Sequence, residues 1–184
     1  MLEGRLVRLR PLQMEDLDRY VTWFNDPEVR RYLAARYPMG KAAEADWLEA
    51  RAKTPTGLEN LTFAVESLDD RCHIGSVAFH EVRPEDRKAT FGIMIGDRKF
   101  WDRGFGTDAT RTLLRFGFDE INLHRVMLHV DERNARAIAC YRKCGFVEEG
   151  RLRGDRFAEG RYWDTVVMAV LEDEFRVLGK EARA

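Results

Sequence analysis

The sequence predicts a mixed α/β domain in which one mostly antiparallel sheet carries helices on both faces. Three strand-like segments between residues 61 and 95 are separated by short polar turns, which favours antiparallel neighbours. A helical crossover then joins residue 95 to a strand over residues 125–130, and strands connected in this way run parallel. The 184 residues contain no linker or repeat, so we expect a single domain over residues 1–184.

One strand and three helices are predicted in the N-terminal third of the chain. Residues 6–10 alternate apolar and basic side chains, as a half-buried strand does, and Pro11 ends that strand. Apolar side chains at helical spacing predict helices over residues 15–25, 28–33 and 41–52. Six aromatic side chains here either belong to the core or line a substrate pocket, namely Tyr20, Trp23, Phe24, Tyr32, Tyr37 and Trp47.

The rest of the chain alternates strands with helices. Strands are predicted over residues 61–66, 73–82, 88–95, 125–130, 146–152 and 161–171, the last two as an antiparallel pair. One helix begins near Thr107 or Asp108 and ends near Glu120. Another follows Asn134, a good N-cap residue, and ends at Gly145. The charged tail is predicted to be helical at its start.

A glycine-rich turn precedes the helix that begins near Thr107. Gly104 and Gly106 can bring bare backbone N–H groups together at the positive end of a helix, where a phosphate binds without a cationic side chain. Residues 104–109 also fit the G-x-G-x-x-[G/A] pattern of dinucleotide-binding oxidoreductases. In that fold the first glycine follows its strand almost at once, whereas here eight residues separate Ile95 from Gly104. We therefore expect a phosphate-binding turn and keep the dinucleotide fold as an alternative.

Composition argues against several classes of partner. Lys and Arg number 31 against 32 Asp and Glu, so no overall charge attracts nucleic acid or an anionic membrane. The sequence shows no signal core and no apolar run of membrane-spanning length, so we expect a cytoplasmic protein. Cys72, Cys140 and Cys144 are typical of reduced thiols, and without a second convergent pair they predict no metal site.

Three stretches resemble the GNAT superfamily of acetyl-CoA-dependent N-acetyltransferases. Residues 101–109 are similar to its [Q/R]-x-x-G-x-[G/A] pyrophosphate loop, and residues 134–146 are similar to N-x-x-A-x-x-x-Y-x-x-x-G-F. Residues 23–29 resemble the start of the ribosomal-protein alanine acetyltransferase-like (RimJ/RimL-type) branch. The loop departs at one position, because Trp101 stands where the family has Gln or Arg.

The resemblance implies a fold and a co-substrate. The implied fold is a mixed, mostly antiparallel sheet of six to seven strands, in which a splayed parallel pair forms the acyl-CoA cleft. The implied co-substrate is acetyl-CoA, with no metal. Backbone N–H groups of the loop would hold the pyrophosphate, and the end of the preceding strand would line the pantetheine arm. The expected cofactor-binding residues are Met94, Ile95, Gly96, Arg103, Gly104, Phe105, Gly106, Thr107, Asp108 and Asn134.

Tyr141 is the expected general acid of an acetyl transfer. It lies seven residues after Asn134, which is two helical turns or roughly 10 Å. An unperturbed tyrosine hydroxyl has a pKa of about 10 and can donate a proton to a departing thiolate. We further expect a backbone N–H in residues 93–95 to polarise the thioester carbonyl, as in an oxyanion hole.

The general base is less well defined by the sequence. Histidine can act as a general base, and His129 stands where the N-terminal acetylases of this branch commonly have a carboxylate. Glu81 and His80, at the end of a neighbouring strand, are competing candidates, and a water relay to solvent is also open. Tyr141, His129 and Glu81 are therefore the expected catalytic residues.

Taken with the resemblance, these residues predict an N-acetyltransferase. Its acceptor is a primary amine, either a protein N-terminus or a small molecule, which attacks acetyl-CoA directly in a ternary complex. A homodimer is usual for similar proteins, so we keep it as an expectation. The alternative from another class is an acyl-CoA-binding sensor that lacks acceptor chemistry.

Overall fold

A computed structural model describes residues 1–35, 37–53 and 60–181. Its strands are β1 (Leu2–Glu3), β2 (Val7–Pro11), β3 (Asn60–Ser67), β4 (His73–Arg83), β5 (Lys88–Ile95), β6 (Arg125–Asp131), β7 (Val147–Ala158) and β8 (Arg161–Leu171). Its α-helices are α1 (Leu17–Asn25), α2 (Pro27–Arg30), α3 (Lys41–Lys53), α4 (Phe105–Asp119), α5 (Ala135–Lys143) and α6 (Glu172–Glu181). Within these ranges the strands form a sheet in the order β1-β2-β3-β4-β5-β6-β8-β7.

The sheet is antiparallel except where β5 meets β6. These two strands pair in parallel, from Lys88 opposite Arg125 to Thr90 opposite Met127. Beyond that point their register ends and the strands diverge, while β5 continues to pair with β4 and β6 with β8. The expected mixed, mostly antiparallel sheet with a splayed parallel pair is therefore confirmed.

The described sheet has eight strands rather than the expected six to seven. The additional strand, β1, is two residues long and pairs with β2 across a turn in which the Gly4 N–H donates to the Val7 carbonyl at 2.8 Å. So short a strand has no alternation of apolar and polar residues to detect. The predicted antiparallel pair of β7 and β8 is confirmed, and β8 is the member that lies beside β6.

Several element boundaries differ from those expected. α4 begins at Phe105 rather than near Thr107, because Gly104 adopts a positive φ of 88° and serves as the residue before the helix. β7 continues to Ala158 instead of ending at residue 152, since a register shift between Leu152 and Arg156 lets the strand resume pairing. α2 ends at Arg30, three residues early.

Helices cover both faces of the sheet and create two buried clusters. On one face α4 packs side chains such as Leu113 and Phe118 against the strands. On the other face Tyr20 and Trp23 of α1 pack with Leu48 of α3. β5 contributes to both clusters, since successive side chains of a strand point to opposite faces. β5 therefore packs against helices on both faces of the sheet.

Candidate active site

A cavity of about 890 Å³ lies where β5 and β6 diverge. Residues 91–95 of β5 and residues 129–131 of β6 line it, together with the starts of α4 and α5 and parts of α1 to α3. Beyond Thr90, the β5 edge that faces β6 has no strand partner. An unpaired strand edge presents N–H and C=O groups, which an extended ligand with amide groups can satisfy.

The first turn of α4 forms one end of this cavity. Gly104, Gly106 and Thr107 line it. The N–H groups of Phe105, Gly106 and Thr107 belong to the first turn, where N–H groups have no acceptor within the helix. They point out of the positive end of a 15-residue helix, which is a favourable place for a phosphate.

Asp108 does not contribute its N–H group, contrary to expectation. That N–H donates to the Gly104 carbonyl at 2.9 Å, which is the first hydrogen bond inside α4. The Asp108 carboxylate accepts the N–H groups of Leu6 and Val7, at 2.8 and 3.1 Å. Asp108 therefore joins the start of β2 to the helix, and the bare N–H groups are those of residues 105–107.

The other expected donor-site residues fall into two groups. Met94, Ile95, Gly104, Gly106, Thr107 and Asn134 line the cavity. Gly96 does not, because Trp23 covers it so closely that a Cβ there would lie 2.1 Å from the indole ring. The Phe105 ring packs in the core, 4.9 Å from the Phe100 ring, and the exposed Arg103 guanidinium lies 5.8 Å from the same ring. Neither of these two side chains lines the cavity, and the backbone at positions 103 and 105 stays a candidate for ligand contact.

Asn134 is the N-cap of α5, as predicted. Its side-chain oxygen accepts the Ala137 N–H at 3.2 Å, which satisfies one of the unpaired donors of the first turn. Asn134 also lines the cavity. This cap fixes the start of the helix that carries Tyr141, so the Tyr141 side chain is positioned by a hydrogen bond two turns away.

Tyr141 is almost fully buried, with 7% of its surface exposed, and it lines the cavity. Its ring packs against both Phe91 and Phe146, with centroid distances of 6.1 and 5.7 Å. Burial raises the pKa of Tyr141 above its usual value of 10, and the neighbouring cysteines act in the same direction. The hydroxyl is therefore protonated throughout the neutral range and can act as a proton donor.

The three candidate bases are placed very differently. His129 is exposed and lines the cavity from β6, just beyond the point where β6 leaves β5. Glu81 is not a lining residue: an irregularity in β4 gives it a positive φ of 49°, and its carboxylate accepts the Thr90 hydroxyl. Glu81 therefore lies outside the cavity, and its role as a base stays a prediction without geometric support.

His80 is half-buried and lines the same cavity from β4. Its Nε2 atom lies 3.2 Å from the position that a Cβ on Gly92 would occupy, so the imidazole covers β5 just past the last parallel pair. Burial lowers the pKa of His80 below 6.5, the positive charge of Arg51 lowers it further, and Glu81 acts in the opposite direction. His80 is therefore neutral at pH 7 and able to accept a proton.

The opposite end of the cavity is lined by aromatic side chains from α1, from the turn after α2 and from α3. Phe24, Tyr32 and Trp47 line it. The Arg51 guanidinium lies over the Trp47 ring, with its central carbon 4.4 Å from the ring centroid. Of the six aromatic residues noted in the sequence, Tyr20 and Trp23 belong to the core, and Tyr37 is exposed.

Two carboxylates, Glu28 and Asp131, also line this end. Burial alone would raise the pKa of Asp131, but hydrogen bonds from Arg133 at 2.7 and 2.8 Å and the charge of Arg156 lower it. Asp131 is thus ionised and already neutralised by two arginines. Glu28 is exposed and has no ion-pair partner among the described residues, so its charge is available to a ligand.

The described residues contain no group of three or more His, Cys, Asp or Glu side chains arranged to hold a metal ion. Cys72, Cys140 and Cys144 are free thiols. Cys140 lines the cavity beside Thr107, whose hydroxyl lies 3.3 Å from the sulfur. None of the helices in the described ranges is long and apolar enough to cross a membrane.

Three charged lining residues are not identified by the sequence, namely Glu28, Arg51 and Arg136. Glu28 lies within the motif at residues 23–29, but the motif does not indicate which of its side chains face a ligand. Arg51 looks like any charged residue at the exposed end of a helix. Arg136 carried a usable signal, because it is a cation in the first turn of α5, where the helix dipole disfavours positive charge.

Comparison with known proteins places this geometry in context. The acetyltransferase (GNAT) domain family matches residues 6–147. The spermidine N(1)-acetyltransferase of Escherichia coli K12 is 30% identical over 187 aligned positions, which cover 95% of this chain and 91% of that protein. The Bacillus subtilis protein YdaF, provisionally named a ribosomal N-acetyltransferase, is 31% identical over 101 residues, or 55% of each chain.

The fold is shared with a solved structure that contains two ligands. The spermidine N-acetyltransferase of Vibrio cholerae, in complex with CoA and spermine, superposes with a TM-score of 0.81 at 29% sequence identity. The match covers 93% of this chain and 98% of the other. Most of the fold therefore has a counterpart in a protein solved in complex with CoA.

Proposed function

Because the chain belongs to the acetyltransferase (GNAT) family, it transfers acetyl groups from acetyl-CoA to amines, and we propose that its acceptors are small primary amines of the polyamine kind. One observation carries the proposal. The first turn of α4, the Tyr141 side chain and three aromatic rings all line one cavity. A donor and an acceptor can therefore meet beside a buried proton donor. The dinucleotide-binding alternative is wrong.

The residues at the α4 end of the cavity fit acetyl-CoA. The first-turn N–H groups of α4 are available for the diphosphate, and the unpaired edge of β5 for the amide groups of the pantetheine arm. A Cβ on Gly106 would find its nearest neighbours at 3.8 Å, so packing alone does not require glycine there. Glycine at this position leaves the backbone accessible to a ligand. Acetyl-CoA supplies the acetyl group as an activated thioester.

Tyr141 holds a proton at its hydroxyl for the departing sulfur. Its hydroxyl has no hydrogen-bond partner among the described residues, which leaves it free to donate to a ligand atom. Burial keeps the pKa of Tyr141 high, so the proton is present at neutral pH. The N–H groups of β5 that face the gap are available to polarise the acetyl carbonyl.

His80 is our first candidate for accepting the proton of the acceptor amine, and His129 is the second. Both line the cavity on the side of α1 to α3. His80 is favoured because it is half-buried over β5 and its lowered pKa keeps it neutral at pH 7. His129 is exposed, so it can relay a proton to solvent.

The acceptor end of the cavity supports a protonated aliphatic amine as substrate. Aromatic faces attract cations and also pack against methylene chains, and Phe24, Tyr32 and Trp47 provide three of them. The unpaired Glu28 carboxylate can bind a second ammonium group. The Arg51 guanidinium opposes a cation, but it stacks on Trp47 and interacts electrostatically with Glu44 of the same helix. The spermidine-acetylating relatives support this acceptor class.

A protein N-terminus is the second candidate acceptor. Residues 23–29 resemble the ribosomal-protein alanine acetyltransferase-like branch, and the partial match to YdaF supports it. We rank it second because the spermidine N(1)-acetyltransferase match covers 95% of the chain, whereas the match to YdaF covers 55%. A cytoplasmic location and a homodimer stay predictions that accompany either acceptor.

The acceptor is identified by measuring CoA release with matched amines. We expect turnover with spermidine and spermine to exceed turnover with propylamine and with an alanine-initiated peptide. Glu28→Gln should raise the KM for spermidine by about tenfold and leave the KM for propylamine unchanged, because only the longer amine carries a second charge. Glu85→Gln, which removes an exposed carboxylate in the β4–β5 turn, is the control.

Turnover of the peptide above that of every small amine would overturn the polyamine proposal in favour of the N-terminal one. Binding of acetyl-CoA without consumption across the whole panel would support the acyl-CoA sensor. An equal effect of Glu28→Gln on spermidine and propylamine would show that Glu28 acts on the fold of the acceptor end instead of on a second ammonium group.

A further inference from the structure

Trp101 is held in a fixed orientation at the edge of the cavity. Its indole N–H donates to the Ile95 carbonyl at 2.6 Å, and its ring packs against the cluster formed by the N-terminal helices. The residue lies three positions before Gly104, so it begins the turn that leads into α4. Its hydrogen bond uses a carbonyl at the end of β5. The indole is therefore tied to both the strand and the turn.

Arg136 lies flat on this indole. The central carbon of its guanidinium is 3.6 Å from the centroid of the Trp101 ring, a close cation–π contact. Arg136 is the second residue of α5 and lines the same cavity as Gly104, Gly106 and Thr107. No described carboxylate lies within ion-pair distance of it. Its N–H groups are therefore uncommitted to any other residue of the described chain.

The location of Arg136 is unfavourable in the absence of an anion. A cation in the first turn of a helix faces the positive end of the helix dipole. The stacked arrangement nonetheless holds the guanidinium in one orientation, and stacking leaves the in-plane N–H groups free. A planar guanidinium with free N–H groups is matched to two oxygens of a phosphate.

We propose that Arg136, supported by Trp101, binds the diphosphate of the acyl donor together with the first turn of α4. This assignment rests on acetyl-CoA as donor and is independent of the acceptor proposed above. In this chain the cation that contacts the diphosphate is then Arg136 of α5. The turn before α4 contributes Trp101, which supports the guanidinium. Trp101 is a positioning residue, and Arg136 is a donor-binding residue.

The test is direct binding by calorimetry, with CoA, with dephospho-CoA, which lacks the 3′-phosphate, and with pantetheine, which lacks all phosphates. Arg136→Gln should weaken CoA and dephospho-CoA binding alike, by about ten- to a hundredfold, the size of a lost hydrogen-bonded charge. Pantetheine binding should not change. Arg115→Gln, which removes an exposed arginine of α4 away from the cavity, is the control for net charge and should leave all three affinities unchanged.

The role of Trp101 is tested with a double-mutant cycle. Trp101→Leu should weaken CoA binding, and combining it with Arg136→Gln should add little, because both changes remove the same contact. Trp101→Phe preserves an aromatic face and should retain part of the affinity. The midpoint of thermal unfolding without ligand identifies any variant that is impaired in folding.

Three results would overturn the proposal. An unchanged CoA affinity in Arg136→Gln would remove Arg136 from the donor site. A loss with CoA but not with dephospho-CoA would assign the contact to the 3′-phosphate. A parallel loss with pantetheine would indicate a general change of the cavity. Failure of the polyamine proposal would appear in the acceptor panel and would leave these affinities untouched.

Discussion

The two ends of the cavity differ in the groups that line them, backbone at one end and side chains at the other. The donor end uses backbone groups from the turn and first turn of α4 and from the free edge of β5, and nearby residues in sequence supply them. The acceptor end uses side chains from α1 to α3, β4 and β6, which are far apart in the chain. Backbone groups are the same for every residue type, so the donor end depends mainly on the path of the backbone, whereas the acceptor end depends on which side chains are present.

This difference predicts that changes at the donor end act on acetyl-CoA binding, and that changes at the acceptor end act on the amine. Tyr141 lies where the two ends meet. Four experiments with variants follow, from the largest expected effect on activity to the smallest. A change in the constant that belongs to the other end of the cavity would contradict this division.

Tyr141→Phe should have the largest effect. Removing the hydroxyl eliminates the proton donor and should reduce kcat by roughly ten- to a thousandfold. The ring still packs against Phe91 and Phe146, so the Kd for acetyl-CoA should stay within about twofold of normal. Steady-state kinetics and calorimetry measure the two constants. A normal kcat would exclude Tyr141 as the acid.

His80→Gln should lower kcat/KM for the amine by about ten- to a hundredfold, with water taking over part of the role. The pKa of His80 lies below 6.5, so the histidine accepts protons above that pKa and loses this ability as pH falls through it. The pH profile of the unaltered enzyme should therefore fall on its acid side below pH 6.5. His80→Gln should abolish that limb. If His129→Gln abolishes it instead, the base is His129.

Gly106→Ala and Gly104→Ala separate ligand binding from folding. The added methyl of Gly106→Ala meets no atom closer than 3.8 Å, so stability should hold while the KM for acetyl-CoA rises by about tenfold. Gly104 has a φ of 88°, and alanine there should lower the free energy of unfolding by about 1 to 2 kcal/mol. Urea unfolding and donor kinetics measure both. Equal destabilisation by the two variants would contradict this distinction.

Asp108→Ala should affect activity least. It removes the acceptor of the Leu6 and Val7 N–H groups and should lower the free energy of unfolding by about 1 to 3 kcal/mol. The N–H of residue 108 remains bonded inside α4, so the Kd for acetyl-CoA should hold to within about twofold. A large loss of donor affinity in a variant that folds normally would return Asp108 to the donor site.

The sequence located the turn and helix starts at the donor end, because spacing and residue type determine them. Gly104 and Gly106 locate the turn, Asn134 locates the cap of α5, and the helical period then places Tyr141 two turns along. Glu81 lies outside the cavity for a local reason, since an irregularity in β4 changes the direction of its side chain and period-two alternation no longer applies.

The acceptor end could not be derived in the same way. Whether Trp23 covers Gly96 while Phe24 and Trp47 line a cavity depends on how α1 and α3 pack on the sheet. That packing brings together residues that no short motif contains. The stacking of Arg136 on Trp101 is of the same kind, because it joins a turn and a helix that are 35 positions apart.

The short register shared by β5 and β6 has a consequence for how the protein responds to its co-substrate. Three pairs of residues hold these strands together, and beyond them the amides on the inner edge of β5 exchange with solvent unless something occupies the gap. A bound pantetheine arm completes the hydrogen bonding that a further strand would otherwise provide. Saturating CoA should therefore slow amide hydrogen exchange in residues 91–95 and leave β7 and β8 unaffected.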